Sequence, residues 1–554
     1  MSAARCDTLA RMKIIVMLLS TIIMWLPCKV NGAEKILLIP LDSRPFCTKT
    51  VVDAARIGSI EVMMPPHSML DFFTVAGEVD QLRRWTLENI SSADAAILSI
   101  DQLTAGGLMA SREKILSGAE IDGLIDFLIE LRRRAPTKKI YAFSILPRHL
   151  PPKAIENYHQ RRALMEYSRL MLRAECETEA LLELERFILP SNKKLYFDRF
   201  RRSEWLNKNL IGLTNVGVID RLVIGRDDSE PHSFQNLLVG RLSKKIIGGD
   251  IFITHGADEI AQSLLARHVL DGRRLKIKVE YNERAAAYRV MPYMSATVGA
   301  VAVEKIKLLG GEIVSSGEDF TLVISVNGSD KKTRRTRRAL SDEIGLKIER
   351  RERIALVDLS VHFDRDETLL PVMIERGVPI NGLLAYSSFN TTGNAIGCAL
   401  SEVAITLASL ERGESEKVLR SNIEFLTGRV IEDQFYLKET IDAVNNALRL
   451  IDREPAWLDA GLEFDWATFV MREVLSRKVE RYERSEALRA PVCFETPDGL
   501  ITLRAERIKY WARYPWFRTF EIELDSKVFF SRPVKAAVSI ARSDEKKIFS
   551  PPAH

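Results

Sequence analysis

Cysteine is scarce in this chain, and its spacing excludes the commonest cysteine chemistry. The 554 residues include 6 cysteines, and no two of them form a Cys-x-x-Cys pair. A zinc site built from cysteines is therefore not expected, because such sites use closely spaced pairs. Beyond the first 33 residues the cysteines are Cys47, Cys176, Cys398 and Cys493. One disulfide between two of them is possible in an oxidising compartment, but the spacing assigns no pairing.

The glycine patterns of three large enzyme classes are also missing. No Gly-x-Gly-x-x-Gly follows a predicted strand, which disfavours a dinucleotide-binding fold. No phosphate-binding loop with the Gly-x-x-x-x-Gly-Lys-Ser/Thr pattern is present. No Gly-x-Ser-x-Gly turn occurs, which disfavours a serine hydrolase. The sequence thus predicts no cofactor.

A strong excess of one charge is absent as well. The chain has 80 basic and 75 acidic side chains, a net charge of +5. The densest basic run, residues 331–338, has no aromatic residues between its charges, and we expect it to be the solvated start of a helix. The composition therefore favours no nucleic-acid partner. With 46% hydrophobic residues the chain is of ordinary globular composition.

The N-terminus has the layout of a secretory signal peptide. Arg11 and Lys13 precede the apolar run Ile14–Leu26, which is short for a transmembrane span, and the small pair Gly32-Ala33 follows. We expect residues 1–33 to be removed and the protein to be secreted or periplasmic, with no stable membrane span after cleavage. An uncleaved membrane anchor is the alternative.

Apolar runs and helical patterns alternate through the middle of the chain. The apolar runs are continuous, as in Lys35–Asp42, Ala95–Asp101 and Lys139–Leu146, which predicts strands buried on both faces. The connections between the predicted strands are long enough for parallel crossovers. The remaining candidate folds are therefore a barrel and a doubly wound sheet. We predict an α/β fold, a (β/α)8-like barrel over residues 34–413. A helical segment with a small β element is predicted over 414–541, and a disordered tail over 542–554.

Polar residues gather where the predicted strands end. In a barrel the carboxyl ends of the strands open at one mouth, so these residues are the candidate site. The two most acidic ends are Asp227-Asp228 and Asp258-Glu259. The candidate substrate-binding residues are Asp42, Arg44, Asp101, Arg226, His255, Asn390, Thr391 and Asn394.

Adjacent carboxylates predict acid–base chemistry. Two nearby acids in different environments can separate into a proton donor and a charged partner, which is the division of labour that glycoside hydrolysis requires. The catalytic candidates are Glu259, Asp258, Asp227 and Asp228. The same acids with His255 could instead bind a divalent cation in an amide or phosphoester hydrolase. A non-catalytic protein that binds glycans or other solutes is a third possibility.

Five motifs together resemble a bacterial family of unknown function. They are PLDSRPF at 40–46, SIDQLTAGGLMASR at 99–112, GRDD at 225–228, GADE at 256–259 and NTTGN at 390–394. The likeness extends to PWFRTFE at 515–521 and implies no established activity.

A shorter likeness concerns chemistry. ITHGADE at 253–259 is similar to the strand-end motif of barrel-type β-hexosaminidases. That resemblance implies that Asp258 orients the acetamido group of the substrate and that Glu259 is the acid. Asp227-Asp228 likewise resembles the paired aspartates of other substrate-assisted hexosaminidases. We therefore expect an exported carbohydrate-active enzyme, a glycoside hydrolase, whose partner is a carbohydrate or another small polar substrate.

Overall fold

The structure is a computed structural model that describes residues 33–173, 178–328 and 331–531. The predicted signal peptide, except Ala33, and the predicted tail lie outside these ranges, as does Cys176. The three described cysteines, Cys47, Cys398 and Cys493, are free thiols.

A six-stranded parallel sheet forms the first half of the chain. Its strand order is β2-β1-β3-β4-β5-β6. The strands are β1 (Lys35–Ile39), β2 (Glu61–Met63), β3 (Ala95–Ser99), β4 (Lys139–Leu146), β5 (Arg221–Arg226) and β6 (Ile251–His255). The central strands are almost wholly buried, as expected of a sheet that helices cover on both faces.

A second parallel sheet follows, with the order β11-β10-β9-β7-β8. Its strands are β7 (Lys276–Tyr281), β8 (Glu312–Ile313), β9 (Phe320–Asn327), β10 (Ile354–Ser360) and β11 (Ala385–Ser387). The predicted α/β class with parallel strands is confirmed. Among the described strands, the hydrogen-bonded ladders form these two separate parallel sheets.

Helices connect the strands and continue beyond them. Those before the second sheet are α1 (Lys49–Ile57), α2 (Val79–Asn89), α3 (Ile100–Ala105), α4 (Leu108–Ser111), α5 (Gly118–Arg134), α6 (Tyr158–Leu170), α7 (Thr178–Phe187), α8 (Pro190–Asn215), α9 (Phe234–Ser243) and α10 (Ile260–Leu270). Those within and after it are α11 (Val298–Leu309), α12 (Lys331–Glu349), α13 (Leu370–Glu375), α14 (Thr392–Leu410), α15 (Ser415–Arg429), the π-helical segment Val430–Thr440, α16 (Ile441–Leu450), α17 (Leu462–Glu483) and α18 (Glu486–Arg489).

Helix α14 lies at the centre of the larger hydrophobic core. Every one of its residues is buried, and it packs on α10, α11 and α1 as well as on strands β10 and β11. Its composition explains this position, because residues on different sides of the helix, such as Ile396, Cys398 and Ala404, are all apolar. The helix thereby connects the layer over the first sheet to the second sheet.

One described helix, α14, is long and apolar enough to cross a membrane by length and composition. The stretch that meets this criterion is entirely buried inside the protein, and central core helices have the same properties.

The C-terminal part consists of helices followed by strands. Two antiparallel hairpins pair β12 (Val492–Thr496) with β13 (Gly499–Leu503), and β14 (Ala505–Arg513) with β15 (Glu523–Phe530). Trp516, in the loop of the second hairpin, is buried, whereas Trp511 on β14 is 45% exposed.

One predicted strand is shorter than the sequence suggests. The apolar run predicts an extended chain over Ala95–Asp101, but the chain becomes helical at Ile100. The hydroxyl of Ser99 accepts a hydrogen bond from the Gln102 amide at 3.2 Å and caps the new helix. Asp101 consequently lies in a first helical turn rather than at a strand end.

Candidate active site

A cavity of about 320 Å³ opens beyond the carboxyl ends of β5 and β6. The N-terminus of α14 and the loop between β14 and β15 complete its wall. Its lining residues are Arg44, Met109, Arg112, Arg226, Asp227, Asp228, Gly256, Ala257, Asp258, Tyr293, Met294, Phe363, Asn390, Thr391, Asn394, Arg518 and Phe520.

Asp258 is fixed in this wall by a buried arginine. The Arg44 Nη2 donates to Asp258 Oδ1 at 2.7 Å and to Asp42 Oδ2 at 2.6 Å. Asp42 itself is fully buried and accepts three further bonds from the amide and Nε of Arg44. Asp42 therefore supports Arg44, and Arg44 orients the carboxylate that reaches the cavity.

The start of α14 holds the other oxygen of Asp258. Asn394 Nδ2 donates to Asp258 Oδ2 at 3.2 Å, and Asn390 Nδ2 does so at 3.4 Å. The Asn394 Oδ1 in turn accepts the Ala257 amide at 3.0 Å. The asparagines thus join the loop after β6 to the helix through side-chain amides, and both oxygens of Asp258 are acceptors.

Two glycines permit this close approach. A Cβ on Gly393 would stand 2.7 Å from the carbonyl carbon and oxygen of His255, and 2.8 Å from the Gly256 amide nitrogen. Gly256 has a φ of +101°, a conformation that L side chains rarely adopt. The glycines in the GADE and NTTGN motifs therefore bring the two loops into contact.

In the second acidic pair, Asp227-Asp228, an arginine pairs with only one of the two acids. Arg112 donates to both oxygens of Asp227, from Nε at 2.7 Å and from Nη2 at 2.8 Å. No ion pair engages Asp228 in the described part of the chain, although it lines the same cavity. Burial raises the pKa of Asp228 to about 6, and the neighbouring charge of Asp227 adds to the rise.

Arg226 and His255 form a second polar group beside the acids. The guanidinium donates from Nε to Gln235 Oε1 at 3.0 Å, and from Nη2 to Ser295 Oγ at 2.6 Å and to Asn236 Oδ1. Ser295 Oγ also lies 2.8 Å from His255 Nε2. The other ring nitrogen of His255 pairs with Glu304 at 2.8 Å, and burial lowers the pKa of His255.

Glu259 has a different environment from Asp258. Its carboxylate is fully buried and ion-paired with the buried Lys305. Its Oε2 lies within the core and has no hydrogen-bond partner. Burial raises the pKa of Glu259, against the attraction of Lys305.

Most of the predicted site residues converge, and four do not reach the cavity. The predicted residues in its wall are Arg44, Arg226, Asp227, Asp228, Asp258, Asn390, Thr391 and Asn394. Those outside its lining are Asp42, Asp101, His255 and Glu259. Asp101 accepts the Ile145 amide at 2.8 Å, and burial raises its pKa to about 6.

Several lining residues were not predicted. Arg112 is the last residue of the motif at 99–112, and Arg518 and Phe520 lie in PWFRTFE. The family motifs therefore contained these residues, whereas the search for polar residues at strand ends did not find them. Tyr293, Met294 and Phe363 lie in loops without such a motif. Among the described residues, no group of three or more His, Cys, Asp or Glu side chains is arranged to hold a metal ion.

The fold and the cavity define an α/β protein with a strand-end pocket of aspartates, arginines and asparagines. More particularly, the chain belongs to the family described as protein of unknown function (DUF4127), whose model matches residues 36–525. None of the curated proteins compared with the chain matches it.

Proposed function

We propose that the protein is a glycoside hydrolase whose general acid is Asp228. The observation that carries the proposal is the contrast between two aspartates of one cavity. Asp228 has a pKa raised to about 6 and no ion pair among the described residues. Asp258 is held by Arg44 and two asparagine amides. A proton donor beside a fixed carboxylate is the pairing that glycoside hydrolysis requires.

In this proposal Asp228 gives its proton to the leaving-group oxygen of the glycosidic bond. As the glycosidic bond breaks, Asp258 stabilises the positive charge that develops on the sugar ring, or orients the substrate group that attacks it. Water then forms the new bond to the anomeric carbon, and the proton that it releases restores the protonated Asp228. Arg44 and the asparagine amides hold Asp258 in place during the reaction, so it need not reorganise. Burial and the negative charge of Asp227 raise the pKa of the acid, against the opposing positive charge of Arg112.

The choice of acid differs from the one that the GADE likeness implied. Glu259 is ion-paired with Lys305 and lies outside the lining of the cavity. A general acid must come within hydrogen-bonding reach of the leaving group. The environment of Asp228 meets that requirement better, and Asp258 keeps the orienting part that the likeness assigned to it.

The aromatic lining also favours a sugar. Tyr293, Phe363 and Phe520 contribute to the cavity wall, and Tyr293 and Phe520 are at least one-third exposed. Ligand sites of this kind combine apolar surface with a few polar groups that fix orientation. The proposal also includes export of the chain. It further includes a barrel-like arrangement in which the strand ends of both sheets face one mouth.

Replacing Asp228 tests the assignment. Asp228→Asn should lower kcat for aryl-glycosides by roughly 10²- to 10⁴-fold, the usual contribution of a general acid. In the unaltered protein, kcat/KM should fall as pH rises through about 6, since the acid must be protonated to act. Both are measured by release of nitrophenol across a panel of aryl-glycosides, after quenching at alkaline pH.

Asp250→Asn is the matched control. Asp250 precedes β6 at the opposite end of the sheet and is exposed, so turnover should stay within about twofold, as for ordinary surface substitutions. Unchanged turnover in Asp228→Asn would reject Asp228 as the acid. If sugars bind saturably but no glycoside is cleaved, the protein binds sugars and is not a hydrolase.

A further inference from the structure

Four arginines line the cavity, and three of them are paired with carboxylates. Arg44 is paired with Asp42 and Asp258, Arg112 with Asp227, and Arg518 with Glu521. Arg226 forms no ion pair with any carboxylate of the described residues.

Neutral groups hold the Arg226 guanidinium in a fixed position. The side-chain oxygens of Gln235, Asn236 and Ser295 accept from its Nε and Nη2. Its Nη1, with two N–H groups, has no hydrogen-bond partner among the described residues. The residue is partly buried and lines the cavity. A cation that is withdrawn from water without a counter-charge is costly, so the arrangement favours an anion supplied from outside.

The Glu304 carboxylate does not fill that role. Glu304 is the carboxylate whose charge acts on Arg226, but its oxygen bonds to the amide and the ring of His255. Arg226 is separated from that pair by Ser295, which bonds to both Arg226 and His255.

Two further cations near the cavity have no ion pair in the described chain. Arg148 lies just after β4, and Leu146 of that strand is in register with Arg226 on β5. The Nε of Arg148 is buried and has no hydrogen-bond partner. Lys438 is buried, with its Nζ 4.0 Å from the centre of the Phe363 ring. It lines a small cavity that shares Tyr293, Phe363, Asn390 and Thr391 with the main one. The site thus has positive charge on both sides.

We propose that the cavity binds a ligand with an anionic group, a carboxylate, sulfate or phosphate, and that Arg226 binds that group. Guanidinium groups suit such oxyanions because their N–H groups form charge-assisted hydrogen bonds in a fixed plane. The inference deepens the proposed function and rests on it in one respect: the ligand becomes an acidic sugar rather than a neutral one.

Calorimetric titration of the full chain tests the inference. D-Glucuronate, inorganic sulfate and inorganic phosphate are titrated in parallel with D-glucose. At least one anion should bind at least tenfold more tightly than D-glucose, and the anion that binds best identifies the charged group. Arg226→Gln should weaken that binding by about 10- to 100-fold, the range for a hydrogen bond to a charged group.

Arg221→Gln is the control, because Arg221 begins the same strand and pairs with Asp250 away from the cavity. It should leave anion binding within about twofold. If Arg226→Gln does not fold, Arg226→Lys decides the question, since it keeps the charge but loses the planar donors and should weaken binding severalfold. The inference is overturned if no anion binds, if D-glucose binds equally well, or if the folded Arg226 variant binds as the unaltered protein does.

This experiment separates the two proposals. Anion binding through Arg226 without cleavage of any glycoside would retain the binding site and reject the hydrolase. Cleavage of neutral glycosides without anion binding would retain the hydrolase and reject the acidic sugar.

Discussion

Asp258 and Glu259 are neighbours in sequence, yet they differ in what they contact. Asp258 points into the cavity and bonds to Arg44, whereas Glu259 points into the core and pairs with Lys305. Both lie in the turn between β6, which ends at His255, and α10, which begins at Ile260. The adjacency of the two acids in the sequence does not reveal which of them reaches the cavity.

The buried ion pair provides a test at the scale of the residue. Lys305→Met should destabilise the protein by about 3–5 kcal/mol, since Glu259 would be left buried and uncompensated. Adding Glu259→Gln to this variant should restore much of the loss. Urea unfolding followed by circular dichroism measures both.

Lys417→Met serves as the control, because the Lys417–Glu414 pair is largely exposed. It should change stability by less than about 1 kcal/mol, as for other surface pairs. If Glu259→Gln alone folds normally but loses turnover 10²-fold or more, in the range of about 10²–10⁴ for a general acid, Glu259 rather than Asp228 is the acid.

Helix α14 connects the site to the core at the scale of the element. Its first turn carries Asn394, which bonds to Asp258, and its remaining residues are buried among the helices of both halves. The alternation of apolar runs with helical patterns predicted helices between the strands, and the structure has this one over Thr392–Leu410. Its contact with the loop after β6 was not predictable, because that contact depends on how two distant segments pack.

A methyl group at Gly393 should disturb this contact. Gly393→Ala would place its Cβ against the backbone of His255 and Gly256, so we expect a loss of about 1–3 kcal/mol from overpacking together with weaker ligand binding. Thermal unfolding and calorimetric titration measure the two effects.

Gly212→Ala is the matched helix control. Gly212 lies inside α8, and a Cβ at this position would meet no atom within 4 Å. Alanine should therefore stabilise that helix by about 0.5–1 kcal/mol. Equal stability changes for the two alanine variants would contradict the close approach at Gly393.

At the scale of the whole molecule, the C-terminal loop completes the wall of the cavity. Trp516 is buried, and its indole N–H donates to Ser43 Oγ at 3.0 Å, next to Arg44. Arg518 lies over the Trp516 ring, 4.8 Å from its centre, and lines the cavity. Side chains from both sheets and from this C-terminal part share one hydrophobic core.

Removing Trp516 should therefore affect stability and the site together. Trp516→Ala should cost about 3–5 kcal/mol and lower kcat/KM, because Arg44 and Arg518 both lose the ring that they pack against. Trp511→Ala, at a ring 45% exposed on β14, should cost less than about 1 kcal/mol and leave kcat/KM unchanged. Chemical unfolding and aryl-glycoside assays provide both readings, and equal effects of the two substitutions would contradict the role given to Trp516.

The sequence by itself determined the α/β class with parallel strands and most of the polar residues that follow the strands. Asp101 is an exception, because it lies in a helix. These predicted features are local properties, since continuous apolar runs and helical periodicity depend on neighbouring residues. Tertiary structure decided which acid reaches the cavity, that Arg112 and Arg518 join it, and that Arg226 lacks a carboxylate partner among the described residues. Those features depend on contacts between segments up to 473 residues apart in sequence, as in the Trp516–Ser43 hydrogen bond. A local sequence pattern does not show which distant segments come into contact.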